Sequence, residues 1–215
     1  MVQSFTGRNA LRILILVLYA ALVANCYLTF RPDSVFMGMF RPSPDPHSSA
    51  LMTNVYAMAY MICGLALPLE QPSEYLAVPD CMVYVRQRRG AAHYLRYLAL
   101  LVSYCCLFTL VQALIAFAVT PGPDAGKLIR TSVCSGWTLL CLLLIANLGY
   151  LLSNRALGYI AALAAYALLL SIGPMAKWFA QGHIWGTPAW VPVLFASTCI
   201  LGAVNLMAFR RLQIL

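Results

Sequence analysis

Charge is what this chain lacks. Asp, Glu, Lys and Arg make up only 9% of its 215 residues, where a soluble domain carries about 25%. Apolar residues make up 62%, more than a chain of this size can hide in one water-soluble core. Lipid is therefore the solvent for most of it. The formal charge is +8, but the basic residues stand at the ends of apolar runs and form no stripe. That pattern argues against nucleic acid as a partner.

Other absences narrow the chemistry. There is no C-x-x-C pair and no Cys/His spacing of a zinc site among the eight cysteines. Cys26, Cys63, Cys105, Cys106, Cys141 and Cys199 lie inside apolar runs, where a thiol behaves as a small hydrophobe. Cys26 and Cys134 both approach the outer face, which leaves one disulfide open. No G-x-x-x-x-G-K-[ST] occurs, so this chain has no P-loop for ATP. No ionisable residue falls deep inside an apolar run, where ion-driven carriers place one. The histidines, His47, His93 and His183, sit near or beyond the membrane surfaces. Ser135 in "VCSGW" lacks the first glycine of a rhomboid-type nucleophile motif. The expectation is a non-enzyme, with no catalytic residue and no metal.

A spanning helix needs about 20 mostly apolar residues. Six runs qualify: Leu11–Phe30, Ala50–Leu69, Tyr97–Val119, Val133–Ser153, Ala156–Ala176 and Pro188–Phe209. Prolines 42, 44, 46, 68, 72, 121 and 123 separate the early runs. "SNRAL" divides the fourth and fifth as a tight helical hairpin, and Gly173–Pro174 end or kink the fifth. The expected fold is all-α, a single membrane domain over residues 1–215 with six transmembrane helices. The first run is too long for a signal-peptide core and is read as an ordinary helix.

Orientation follows Lys and Arg. With the N-terminus inside, nine basic residues are cytoplasmic: Arg8, Arg12, Arg86, Arg88, Arg89, Arg96, Arg155, Arg210 and Arg211. Five are outside: Arg31, Arg41, Lys127, Arg130 and Lys177. Both termini are thus expected in the cytoplasm. The intramembrane amides Asn25, Asn54, Gln112, Asn147 and Asn205 have two readings. They make interhelical hydrogen bonds, or they line a substrate path. The small pairs Ala20/Ala24 and Ala161/Ala165 suit close helix packing, within this subunit or against another. Outside, "KWFAQGHIWGTPAW" carries Trp178, Trp185 and Trp190. It suits an interfacial or re-entrant segment, since Trp prefers the headgroup level. "VFMGMF", Val35–Phe40, is a second apolar outer piece expected to lie on the surface in the same way.

One cytoplasmic loop, Glu70 to Arg96, opens with Glu70, Glu74 and Asp80 and closes with Arg86, Arg88, Arg89 and Arg96. Asp80 suits an N-cap. A short helix over Asp80–Arg89 would then run from acid to base, as the dipole favours. Anchoring to anionic headgroups explains the arginines equally well.

"LEQPSEYLAVPDCMVYVRQRRGAAHYLRYLALLVSYCCLFTLV" and the basic tail "NLMAFRRLQIL" resemble small bacterial ABC-2-type transporter permeases. That resemblance implies an ABC-2 half-transporter fold in a bacterial cytoplasmic membrane. It implies a coupling loop of Glu70, Glu74, Asp80, Val83, Tyr84, Arg86, Arg88 and Arg89 gripped by a separate ATPase subunit. It also implies a second permease chain, identical or related, with ATP and Mg bound only by the partner. The expected function is a permease subunit of an ABC exporter for a hydrophobic or amphipathic substrate, a peptide or a lipid-like molecule. The alternative is the substrate-binding membrane subunit of an energy-coupling-factor type vitamin importer, with the Trp-rich segment as its binding loop.

Overall fold

With no water in the bilayer core to satisfy the backbone, an apolar run must bond to itself, and a helix does so locally. The computed structural model follows that rule. It describes residues 2–30, 36–41, 53–68, 73, 75–76, 91–120, 122, 124–152 and 154–211. The helices are α1 (Val2–Asn25), continued by a wider π turn over Cys26–Phe30, then α2 (Val55–Ala66) and α3 (Ala91–Val119). After these come α4 (Ala125–Leu151), α5 (Arg155–Ser171), α6 (Gly173–Gln181) and α7 (Trp190–Arg211). Between α6 and α7, strands β1 (His183–Ile184) and β2 (Thr187–Pro188) form a small antiparallel hairpin.

The chain is an all-α, multi-pass membrane protein, but not a six-span one. Among the described residues four helices are long and apolar enough to cross: Ala10–Leu28, Ala92–Val119, Ala125–Leu151 and Trp190–Arg211. A fifth is added if the bent pair α5–α6 counts as one span. Two of the six expected spans fail for separate reasons. The second run yields a helix of 12 residues, about 18 Å at 1.5 Å per residue, against about 30 Å of hydrocarbon. Its start is set by Asn54, whose side chain leaves the helix uncapped. That amide instead accepts from Arg41 N at 2.5 Å and donates to Arg41 O at 2.9 Å. The fifth run breaks by 89° after Ser171. Ile172 is extended there (φ −89°, ψ 88°) and a proline opens α6, where its missing N–H costs nothing. The expectation of both termini in the cytoplasm was drawn on six crossings, a count that the described helices do not reach.

The fourth span also starts earlier than its hydropathy. Asp124 caps α4, its Oδ1 accepting from Lys127 N at 3.1 Å, so the polar turn around Lys127 and Arg130 is already helical. Asp124→Ala should cost about 1 kcal/mol. Amide hydrogen exchange should show it as faster exchange confined to the first turn of α4.

α4 is the hub. It is the most buried of the long apolar helices, and α3, α5 and α7 all pack against it. α5 folds back along it after Asn154, which caps α5 by accepting from Leu157 N at 3.1 Å. Two glycines let the backbones meet, Gly149 on α4 and Gly158 on α5. Side-chain contacts set the two ends of the bundle. Arg12 reaches Pro68 O at 3.5 Å, and Tyr94 donates to Gly202 O at 2.8 Å, at one end. At the other, Asn25 meets Tyr56 at 3.2 Å and Phe36 N donates to Thr131 Oγ1 at 3.1 Å.

Candidate functional site: neutral polar pairs between apolar helices

The interior of α1, α2 and α3 is built on tyrosine. Tyr19 donates to Gln112 Oε1, and Gln112 Nε2 donates back to Phe108 O at 3.2 Å. Tyr60 and Thr109 share a hydrogen bond of 2.7 Å, and Tyr104 donates to Gly64 O at 2.8 Å. Phe108 sits among the three phenol rings, with centroid distances of 5.7 Å to Tyr19, 5.2 Å to Tyr60 and 5.9 Å to Tyr104. The aromatic bodies supply packing while the hydroxyls of Tyr19, Tyr60 and Tyr104 each find a partner; the buried Tyr97 hydroxyl on α3 has none among the described residues. None of these partners carries charge. The seam suits a neutral guest and offers no counter-ion.

Beside this seam, α1 and α3 leave a groove of about 630 Å³. Leu16, Ala20 and Ala24 wall it on α1 and Val111 and Ile115 on α3, with the Tyr19–Gln112 pair as its polar spot. Ala20 and Ala24 are exposed along it. They are thus not the close helix contact within the subunit that their spacing allowed. Ala165 is exposed too.

A second polar pair joins α4 to α7. Asn147 Nδ2 donates to Asn205 Oδ1 at 2.7 Å. Asn205 Nδ2 donates to Leu144 O at 3.0 Å and to Leu201 O at 2.9 Å. Asn205 is fully buried and Asn147 nearly so. Toward the far end, Trp137 Nε1 donates to Thr198 Oγ1 at 2.8 Å, fixing the same two helices again.

The five amides therefore do not share one path. Asn147 and Asn205 meet each other, Gln112 meets Tyr19, Asn54 holds the Arg41 backbone, and Asn25 is an exposed partner of Tyr56. The proposed coupling residues Glu70, Glu74, Asp80, Val83, Tyr84, Arg86, Arg88 and Arg89 lie outside the described residues. Cys26 and Cys134 are both buried free thiols. Ser135 donates to Thr131 O at 2.9 Å, an ordinary back-bond along its own helix.

The three tryptophans part ways. Trp185 is 93% exposed at the hairpin tip, at φ 50°, followed by Gly186 at φ 76°. Two positive φ values in succession make the tight turn whose twist suits a two-residue hairpin. Trp178 on α6 is half exposed, whereas Trp190 is buried against Trp137, centroids 6.4 Å apart. "VFMGMF" does not lie on the surface. Phe36, Met37, Met39 and Phe40 are all buried. Phe36 packs edge-on against Tyr60 at 5.4 Å and Phe40 against Phe179 at 5.5 Å. A Cβ on Gly38 would stand 2.7 Å from the Tyr60 ring.

Sequence reading missed two features. The Gly149–Gly158 crossing had a signal, a glycine on each side of "SNRAL". The tyrosine seam had none, because its partners lie 40 to 93 positions apart.

No family model, curated protein or solved structure matches the chain. The resemblance to ABC-2-type permeases is corrected on two counts. It rested on a six-span frame that the helices do not form, and no family match supports it.

Proposed function

We propose that this multi-pass membrane protein is a permease-type subunit whose substrate is hydrophobic or amphipathic and enters sideways from lipid. The observation that supports this reading is the groove between α1 and α3, apolar along its walls with one neutral pair, Tyr19–Gln112, in its lining. A guest there exchanges lipid for protein contacts and gains hydrogen bonding at one point. That favours an acylated or amphipathic molecule over an ion. In the same reading, energy comes from a separate ATP-hydrolysing subunit that holds the basic segment around Arg86–Arg89.

A lipopeptide with a photoreactive diazirine in its acyl chain tests the groove. In vesicles containing the full chain, crosslinks should concentrate on α1 and α3 near Tyr19 and Gln112. Gln112→Leu should lower that labelling severalfold. Labels spread evenly over every lipid-facing helix would overturn the groove reading. Purification without any stoichiometric P-loop subunit would overturn the energised one.

A further inference from the structure

A second groove, between α3 and α4, has about 620 Å³ of space. Its walls are almost wholly hydrocarbon, with Leu114, Phe117, Val133 and Trp137 prominent. Two hydroxyls border it. Thr109 is committed to Tyr60 at 2.7 Å. Ser132 is only 6% exposed, and its Oγ has no hydrogen-bond partner among the described residues. Its neighbours behave otherwise. Ser135 back-bonds to Thr131 O at 2.9 Å and Thr138 to Cys134 O at 2.8 Å, the usual refuge of a hydroxyl in a membrane helix. A buried hydroxyl left unpaired is costly, and this one borders a groove with room for a guest.

Charge stands above it. Arg130 is exposed on the second turn of α4. Helical spacing puts it on the same edge as Val133 and Trp137, three and seven residues on. Asp124 is also at this end, but its carboxylate caps the helix at Lys127 N. Lys127, three residues before Arg130, lies about 60° further round α4, away from the groove face. The N-terminal end of α4 adds its positive dipole end. Arg130 is not in the groove wall, whose end near the start of α4 is lined by Ala125, Leu128 and Ile129, but along α4 it precedes the Ser132 hydroxyl and the hydrocarbon of Val133 and Trp137. Ser132 lies about 3 Å deeper along the axis than Arg130, at 1.5 Å per residue. An anionic phospholipid presents the complementary order: phosphate, ester carbonyl, acyl chain.

We propose that the α3–α4 groove is a specific site for an anionic phospholipid. Its phosphate pairs with Arg130, an ester carbonyl accepts from the Ser132 hydroxyl, and one acyl chain lies along Phe117, Val133 and Trp137. The site is separate from the α1–α3 groove and holds whether or not the protein transports anything.

Trp137, in the groove wall, provides the readout. The full chain is placed in phosphatidylcholine vesicles, and phosphatidylglycerol brominated on its acyl chains is titrated in. The Trp137 signal is the difference between the wild type and Trp137→Phe. Half-quenching should need about fivefold less brominated phosphatidylglycerol than brominated phosphatidylcholine, the gain one surface cation gives toward an anionic headgroup. Arg130→Gln should abolish that preference. Ser132→Ala, a mild change, should weaken quenching by both lipids severalfold. Lys177→Gln, a cation on α6, should leave the preference intact. Equal quenching by the two lipids would mean only a nonspecific lipid coat and overturns the proposal. So does a preference that survives both Arg130→Gln and Ser132→Ala. Displacement of the lipid by an added amphipathic peptide, with no preference between lipids, assigns the groove to a peptide and overturns it as well.

Discussion

Gly158→Val should separate α5 from α4 and destabilise the protein by about 3 kcal/mol or more, the upper end for overpacking. A Cβ at position 158 would stand 2.5 Å from Ala146 O and 3.0 Å from the Gly149 Cα. These are backbone atoms, so no rotamer change can make room. One helix must move, and the contact along the whole α4–α5 hairpin moves with it. Small residues at such crossings are how membrane helices gain dispersion contact without a hydrophobic driving force. Unfolding in detergent micelles, followed by circular dichroism, measures the loss. Gly149→Val should behave alike, because its Cβ would collide with the Gly158 backbone. Gly173→Ala is the control. A Cβ there meets nothing within 4 Å, so its stability should stay within about 0.5 kcal/mol of the parent. A Gly158→Val protein as stable as this control would show that the helices do not cross at these glycines.

Asn205→Leu should be the next most damaging change, at about 2 kcal/mol. It removes the acceptor of Asn147 Nδ2 and two donations into the helix carbonyls of Leu144 and Leu201. The Asn147 amide is then left in a site that is 2% exposed. Leaving one buried partner unsatisfied costs about 1–3 kcal/mol, whereas replacing both by apolar groups can be nearly neutral. The double variant Asn147→Leu/Asn205→Leu should therefore be more stable than the sum of the single losses. A coupling of about 0.6–2 kcal/mol is expected from membrane hydrogen bonds of this kind. Strict additivity in the double-mutant cycle would mean that the two amides do not hold each other.

How much of this was legible beforehand depends on the range of each interaction. The break at Ile172–Pro174 was visible because Gly173 and Pro174 act on their own backbone. The end of α3 at Val119, just ahead of Pro121 and Pro123 in the sequence, was visible for the same reason. The start of α4 was missed by eight residues because hydropathy ignores a cap. Asp124 extends the helix through Lys127 and Arg130 although neither is apolar. The second run was overcounted as a span because its composition resembles that of the others. Its helix begins only at Val55, where the Asn54 side chain is diverted to the Arg41 backbone. The amides stood out in the sequence as polar groups in apolar runs. Which amide faced which partner was beyond reach.

The sequence by itself determined the solvent and the local grammar. Scarce charge and long apolar runs require lipid, lipid requires helices, and proline and glycine mark several of the breaks. The tertiary structure decided how many runs are long enough to cross. It turned Phe36–Phe40 inward against Tyr60 and Phe179, brought Gly149 onto Gly158 and matched Asn147 with Asn205 across 58 positions. The physical reason is that hydropathy and backbone preference act between chain neighbours. Depth, closeness and hydrogen-bond pairing depend on which helix faces another, and chain neighbours do not encode that.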